Sequence, residues 1–357
     1  MEKEKVLITG GAGFIGHHLI DYVLRKTDWD IVILDRLDLS GNLNRLTELD
    51  SVYAFNEKGK RIKFVWHDLK SEINSFVSKD IGQVDHVVHL AASSHVDRSI
   101  EDPVSFAMDN VVGTTNLLNW ARKGGMKRTK NELHRMGDGL VETGQNYAGK
   151  FLNFSTDEVF GPADVGHDHK EDEPHKPSNP YSASKSGQGM MGYAFFITYG
   201  LPVITSYTMN NFGERQHPEK LIPACIRAVI NQTEMPIFAE VEKDGELKAV
   251  GSRFWLHSWN TASAIVFLLE NGVVGESYNI VGFDELTNLE ICEKVAKIIG
   301  KPLIPKFVDF HETRPGHDRR YALDGNKIKK LGWKPEVEFD DSLKKVVEFT
   351  MENKKWQ

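Results

Sequence analysis

The chain has 357 residues, 40% hydrophobic and 27% charged, a composition able to bury a substantial core. Its net charge of −7 excludes the basic footprint of a nucleic-acid binder, so anionic partners would have to meet local basic pockets. Two cysteines, Cys225 and Cys292, make neither a disulfide framework nor a metal site and read as buried thiols.

The N-terminus, MEKEKVLITG, carries no signal or transit pattern, and no apolar run approaches the ~18 residues of a membrane span. A cytoplasmic protein without membrane contact is expected. Short β-branched runs at 6–9, 31–35, 62–66 and 84–90 predict strands, and the patterns at 14–25 and 71–77 predict helices between them. Strands alternating with helices imply parallel pairing through right-handed crossovers, hence an α/β, Rossmann-like doubly wound sheet. The first strand runs into Gly10-Gly11-Ala12-Gly13-Phe14-Ile15-Gly16, a GxxGxxG loop that opens a helix. That context suits a dinucleotide, whose pyrophosphate sits at the helix N-terminus close to bare backbone. Asp35 ends the second strand, where a carboxylate accepts from the adenosine ribose; this favours NAD, although Arg36 follows directly.

Residues 103–122 predict a long helix, apolar on more than one side and therefore buried in its own core or against a partner subunit. The stretch 124–150 is rich in Lys, Arg, Gly and Asn and reads as a surface insertion. A strand at 151–155 then releases the chain into Ser155-Thr156-Asp157-Glu158. Ser155 and Glu158 have the spacing of a helix capping box; adjacent carboxylates at a strand end also suit an acid and a base delivered together. The loop 162–178 holds His167, His169 and His175, whose spacing matches no familiar metal site, so no metal is expected there. Asn179 and Pro180 suit the cap and first position of a helix. On it Tyr181 and Lys185 lie one turn apart, so an ammonium could favour a tyrosinate base. A strand at 202–207 follows. Beyond it come helices at 221–231, 261–270, 289–299 and 341–352, strands near 237 and at 277–281, and a hairpin across 242–251. The expected division is a dinucleotide-binding domain over 1–210 and a smaller, mostly C-terminal α/β substrate domain over 211–357, some of whose segments return to the first.

The glycine loop, Asp68-Leu69 after the third strand, Leu90-Ala91-Ala92 after the fourth and YSASK (Tyr181–Lys185) resemble an extended short-chain dehydrogenase/reductase. Within that group the chain is most similar to the dTDP-glucose 4,6-dehydratase family of nucleotide-sugar enzymes. The shared pieces are SHVDRSI (94–100), NVVGT (110–114), STDEVFG (155–161), NNFG with HPEKLIP (210–223), YNI (278–280) and RPGHDRRYALD (314–324). The resemblance spans nearly the whole chain and implies an NAD-dependent lyase that dimerises through a four-helix bundle. In the implied reaction hydride leaves C4 of a hexose for NAD, water is eliminated across C5 and C6, and hydride returns to C6. Tyr181 with Lys185 would take the 4-hydroxyl proton, Thr156 would assist near O4, Glu158 would be the C5 base and Asp157 the acid at O6. Asp68, Leu69, Leu90, Ala91, Ala92 and Asn211 would line the cofactor. Ser94, Asn210, Glu219, Lys220, Leu221, Pro236, Ile237, Phe238, Arg253, Asn279, Arg314 and His317 would bind the nucleotide sugar. The chain departs from the family pattern at Ser93, where glutamate is usual, at Phe160, along 254–260 and in the longer segment 236–253. These changes surround the nucleotide pocket and leave base and hexose open. A nucleotide-sugar 4-epimerase on the same fold, and a non-catalytic NAD-binding regulator, are the alternatives.

Overall fold

A computed structural model describes residues 3–47, 49, 61–129, 135–136, 139–140, 146–241, 247–283, 285–309 and 320–357. Two compact units divide the chain: Met1–Thr156, Pro180–Tyr207 and Ala262–Tyr278 form the first, and Asp157–Asn179, Thr208–Thr261 and Asn279–Gln357 the second.

Among the described residues the central sheet has seven strands, β1 (Lys5–Thr9), β2 (Asp30–Asp35), β3 (Ile62–Trp66), β4 (His86–His89), β5 (Phe151–Thr156), β6 (Val203–Thr208) and β7 (Ser277–Ile280), in the order β7-β6-β5-β4-β1-β2-β3. The pairs β1–β2, β2–β3, β1–β4 and β4–β5 are parallel. The strand order reverses beside β1, the switch point at whose carboxyl edge such sheets hold ligands. Strands β4, β5 and β6 are buried along their whole length, whereas edge strand β3 is largely not. Burial on both faces selects apolar runs rather than alternation, which is why these strands are visible in the sequence. Leu7, Val32, Leu34, Val87 and Phe151 join Leu117 and Leu118 in the core of this unit.

Helix α1 (Phe14–Lys26) falls where expected. Helix α2 runs Ser75–Ile81 rather than 71–77, because Asn74 Oδ1 accepts from Phe76 N and Val77 N, 3.0 Å each, and fixes the start. The predicted long helix is a run over 103–125 in which Pro103–Ala107 and Gly113–Trp120 alternate with π turns at Met108–Val112 and Ala121–Gly125. It is not buried all round: Val104 is 70% exposed and Met108 40%. Met126 is fully buried and bridges to Val84, so the expected surface insertion begins only after it.

In the second unit, helices Leu221–Asn231, Asn288–Ile299 and Phe339–Glu352 share a core that includes Ile226, Ile237, Trp255, Val295 and Leu343. The strand Met235–Val241 pairs antiparallel with Leu247–Ala249 and parallel with Pro305–Asp309; the tip of the expected hairpin lies outside the described residues. Cys225 and Cys292 are free and fully buried, with Cys225 Sγ 3.7 Å from Cys292 O. Among the described residues no helix is long and apolar enough to cross a membrane.

Candidate active site

In the first unit the glycine loop joins β1 to α1. Gly10 has φ +69°, and a Cβ there would lie 2.8 Å from Ala91 N, so only glycine lets the loop touch the segment after β4. A Cβ on Gly16 would lie 2.3 Å from Gly10 O, and one on Gly13 2.9 Å from the same atom. The loop is thus a bare backbone cradle at the start of α1, the shape a pyrophosphate requires. Phe14 and Ile15 are half-buried in the first turn. Asp35, at the end of β2, is buried and accepts from Ala12 N (3.0 Å) and Leu37 N (2.8 Å). Burial raises its pKa, and these two amides oppose the rise. Arg36 is clamped: Nη1 and Nη2 donate to the two carboxylate oxygens of Asp109 (2.6 and 2.8 Å), and Nε and Nη2 donate to Asp38 Oδ2 (2.9 and 2.7 Å). Its pKa is accordingly raised, the Asp109 bond being the main cause. Ser93, in the position usually held by glutamate, donates from Oγ to Asp109 Oδ2 (2.6 Å). Asp68 Oδ1 accepts from Lys70 N (3.0 Å), Leu69 is buried, Leu90, Ala91 and Ala92 are half-buried, and Ser94 is exposed.

Helix α3 (Pro180–Tyr199) turns Tyr181 and Lys185 inward, 8% and 3% exposed. The Tyr181 backbone N–H donates to Ser99 Oγ (3.1 Å), and the ring lies edge-on to Phe106. Lys185 Nζ donates to Phe154 O (2.7 Å) and Gln188 Oε1 (2.6 Å). Burial lowers the Lys185 pKa to about 7. Thr156, the last residue of β5, is buried.

In the second unit Asp157 and Glu158 open a 3-10 turn, Asp157–Phe160. The capping box does not form: Ser155 stays in β5, and its buried Oγ has no hydrogen-bond partner among the described residues. Asp157 is 4% exposed and its Oδ1 accepts from Glu158 N (3.1 Å). Glu158 Oε2 accepts from Tyr321 Oη and Asn179 Nδ2, 3.3 Å each. The Arg253 guanidinium lies 4.4 Å from the centroid of the Tyr321 ring. Asn279 is fully buried; its N–H donates to Glu171 Oε1 (2.9 Å), and its Nδ2 to His169 O (2.9 Å) and Asp324 O (3.1 Å). Asn211 Nδ2 donates to Met209 O (2.9 Å). Asn210 and Glu219 are exposed, while Lys220 stands just before the helix that Leu221 opens. Ile237 belongs to the core, whereas Pro236 is exposed and Phe238 partly so. Arg314 and His317 lie outside the described residues.

Residues 7–346 match the family model described as GDP-mannose 4,6 dehydratase. The chain belongs to this family. It is 35% identical to dTDP-glucose 4,6-dehydratase of Escherichia coli over 99% of this chain and 95% of the relative. It is 37% identical to the low-salt glycan biosynthesis protein Agl12 of Haloferax volcanii, over 96% and 97% of the two chains. A solved structure of the dTDP-glucose 4,6-dehydratase DesIV from Streptomyces venezuelae, with NAD bound, superposes with a TM-score of 0.82 at 33% identity, over 99% and 98% of the chains.

The sequence motifs point to candidate groups but not to what holds them. Asn110 opens NVVGT, and its Nδ2 donates to Ser93 O (2.9 Å) and Ser184 Oγ (2.8 Å), tying the segment after β4 to α3. Gln188 binds Lys185 and donates to Asn153 Oδ1 (2.7 Å). His89 lies between Thr9 Oγ1 (2.7 Å) and Thr114 Oγ1 (2.8 Å), its pKa lowered to about 3 by burial and then by Lys185. Tyr321 stands in RPGHDRRYALD, and only the fold shows that it reaches Glu158.

Proposed function

We propose that this chain is a cytoplasmic, NAD-dependent nucleotide-sugar 4,6-dehydratase acting on dTDP-glucose to give the 4-keto-6-deoxyhexose. The observation that carries the reading is the Asp157–Glu158 pair after β5, with Asp157 buried and Glu158 held by Tyr321 and Asn179. One elimination needs a carboxylic acid and a carboxylate together, and unlike surroundings are what separate two such groups. The glycine cradle and Asp35 fit a dinucleotide, which when bound supplies the hydride acceptor and donor at C4 and C6.

Tyr181, with Lys185 behind it, takes the proton of the 4-hydroxyl. The 4-ketone acidifies C5–H, Glu158 removes that proton, and Asp157 protonates the departing 6-hydroxyl. Thr156 steadies O4. Asn279, Arg253, Asn210, Glu219, Lys220 and the 236–238 strand serve the nucleotide, with Arg253 suited to the diphosphate. A homodimer through the 103–125 run and α3 completes the proposal.

Incubation with dTDP-glucose should give a product lighter by one water, and in heavy water a product carrying deuterium at C5. Return of every member of a dTDP-, UDP-, CDP- and GDP-hexose panel unchanged would sink the proposal, and an isomer of unchanged mass would transfer it to 4-epimerisation. Tyr181→Phe should lower kcat by about 10²- to 10⁴-fold, the scale of a lost general base. A biological effect that survives this change would mean that binding alone is the function.

A further inference from the structure

The loop after the 3-10 turn brings His167, His169 and Glu173 together, with one ligand atom from each within 4.8 Å of the others. Glu173 Oε2 is 3.0 Å from His167 Nε2 and 2.7 Å from His169 Nδ1. The third loop histidine, His175, instead meets the Phe160 ring edge-on. From this juxtaposition we infer a binding site for a transition-metal dication of the zinc type, with His167 Nε2, His169 Nδ1 and Glu173 Oε2 as ligands. The inference does not depend on the reaction assigned above.

Two features go beyond proximity. The first is the bonding of His169. Its Nδ1 faces the carboxylate, and its Nε2 faces the carbonyl oxygen of Pro162 (3.4 Å), so both ring nitrogens meet acceptors. A neutral imidazole has one N–H and cannot serve both. A cation between Nδ1 and Glu173 removes the conflict, leaving Nε2–H to donate to the carbonyl, the usual arrangement of a metal-bound histidine. The second is the fixed frame. Phe160 stacks on the His169 ring, and the second carboxylate oxygen of Glu173 accepts from Lys170 N (2.9 Å). Arg320 Nη1 holds the carbonyls of Asp164 (2.8 Å) and His167 (2.7 Å). The charge of this arginine is matched by Glu285, which it binds through two nitrogens (2.7 and 2.9 Å), and by Asp168 (2.8 Å). It therefore shapes the loop without leaving an uncompensated positive charge beside the site.

Two imidazoles and a carboxylate select zinc, nickel or copper over magnesium and calcium, which prefer all-oxygen shells. Ligand atoms on a tetrahedral zinc stand about 3.3 Å apart for bonds of about 2.0 Å, so Glu173 Oε2 would move away by about 0.3 Å from His167 Nε2 and about 0.6 Å from His169 Nδ1. Three protein ligands leave a fourth position for water. The backbone of His169 is paired with Ala322 and Asp324, whose neighbour Tyr321 holds Glu158, so the ion would pin the segment that positions this carboxylate.

The test uses the full chain, stripped with a chelator and titrated calorimetrically with zinc chloride alone, with thermal unfolding followed in parallel. One zinc per chain and a zinc-dependent rise in Tm are expected. Glu173→Gln and His169→Ala should each weaken binding at least tenfold and abolish the rise, while His175→Ala should retain both. If His169→Ala does not fold, His167→Ala, at a half-exposed position, replaces it. Absence of stoichiometric uptake, or uptake undiminished in Glu173→Gln, would overturn the site.

Discussion

At the scale of single residues, the most informative group is Lys185, whose ammonium is buried against two neutral acceptors, Phe154 O and Gln188 Oε1. Burial lowers its pKa from the ordinary 10.5 to about 7. The folded value lies below the unfolded one. Below about pH 7 both states hold the proton, and the burial penalty is fully present; between about 7 and 10.5 only the unfolded chain holds it, so stability rises with pH. Lys185→Met should lose this rise. Urea unfolding of both proteins at about pH 7 and about pH 9.5 tests it, and a wild type that gains nothing over the variant would contradict a buried, titrating lysine. Tyr321→Phe is a second case. It removes one donor from Glu158 and leaves the ring for Arg253 to stack on. A hydrogen bond to a charged group is worth about 1.5–3 kcal/mol, so C5 proton exchange should slow by roughly ten- to a hundredfold with little change in KM. An unaltered exchange rate would show that Tyr321 does not position the base.

At the scale of elements, the clamp on Arg36 decides what the turn after β2 can recognise. An arginine next to Asp35 invites a 2′-phosphate, yet Asp109 on the 103–125 run and Asp38 occupy its fork. Asp109→Asn should raise the affinity for NADP relative to NAD by about two- to fivefold, the scale of one partly exposed charge pair. Titration of both cofactors against both proteins measures it, and an unchanged ratio would show that the clamp does not set the preference. Elements of this unit were legible where burial dictates composition, as in β1, β2, β4 and β5. They were misplaced where a single side chain sets the boundary, as Asn74 does for α2. The paired segments Asn211–Phe212 with Leu256–His257, and Ser252–Phe254 with Glu285–Thr287, were not foreseen because two or three residues show no periodicity. The same limit holds for the site. Motifs contiguous in the chain announce the glycine loop, Tyr181 and Lys185, and the carboxylate pair. The partners Tyr321 and Glu158 are 163 positions apart, and no local pattern joins them.

At the scale of the whole molecule, the 103–125 run shows what hydrophobic periodicity leaves open. An apolar face can cover its own core or a second copy, and the sequence alone does not distinguish them. Here one side packs inward through Phe106, Leu117 and Leu118, while Val104 and Met108 face out. Helix α3 repeats the pattern. Tyr181, Lys185 and Gln188 point inward, and Met190, Tyr193 and Ile197, spaced as one helical stripe, are each more than half exposed, at 52%, 56% and 56%. Exposed apolar side chains on two helices of the same unit are what a two-fold four-helix bundle would bury, about 800 Å² on each partner. Because Tyr181 and Lys185 occupy the opposite side of that helix, charges on the outer stripe should disturb assembly before they disturb the fold. Light scattering after gel filtration should find wild type as a dimer and the double variant Tyr193→Glu, Ile197→Glu as a monomer, with the circular dichroism spectrum preserved. A monomeric wild type at micromolar concentration, or a double variant that stays dimeric, would exclude this face as the interface.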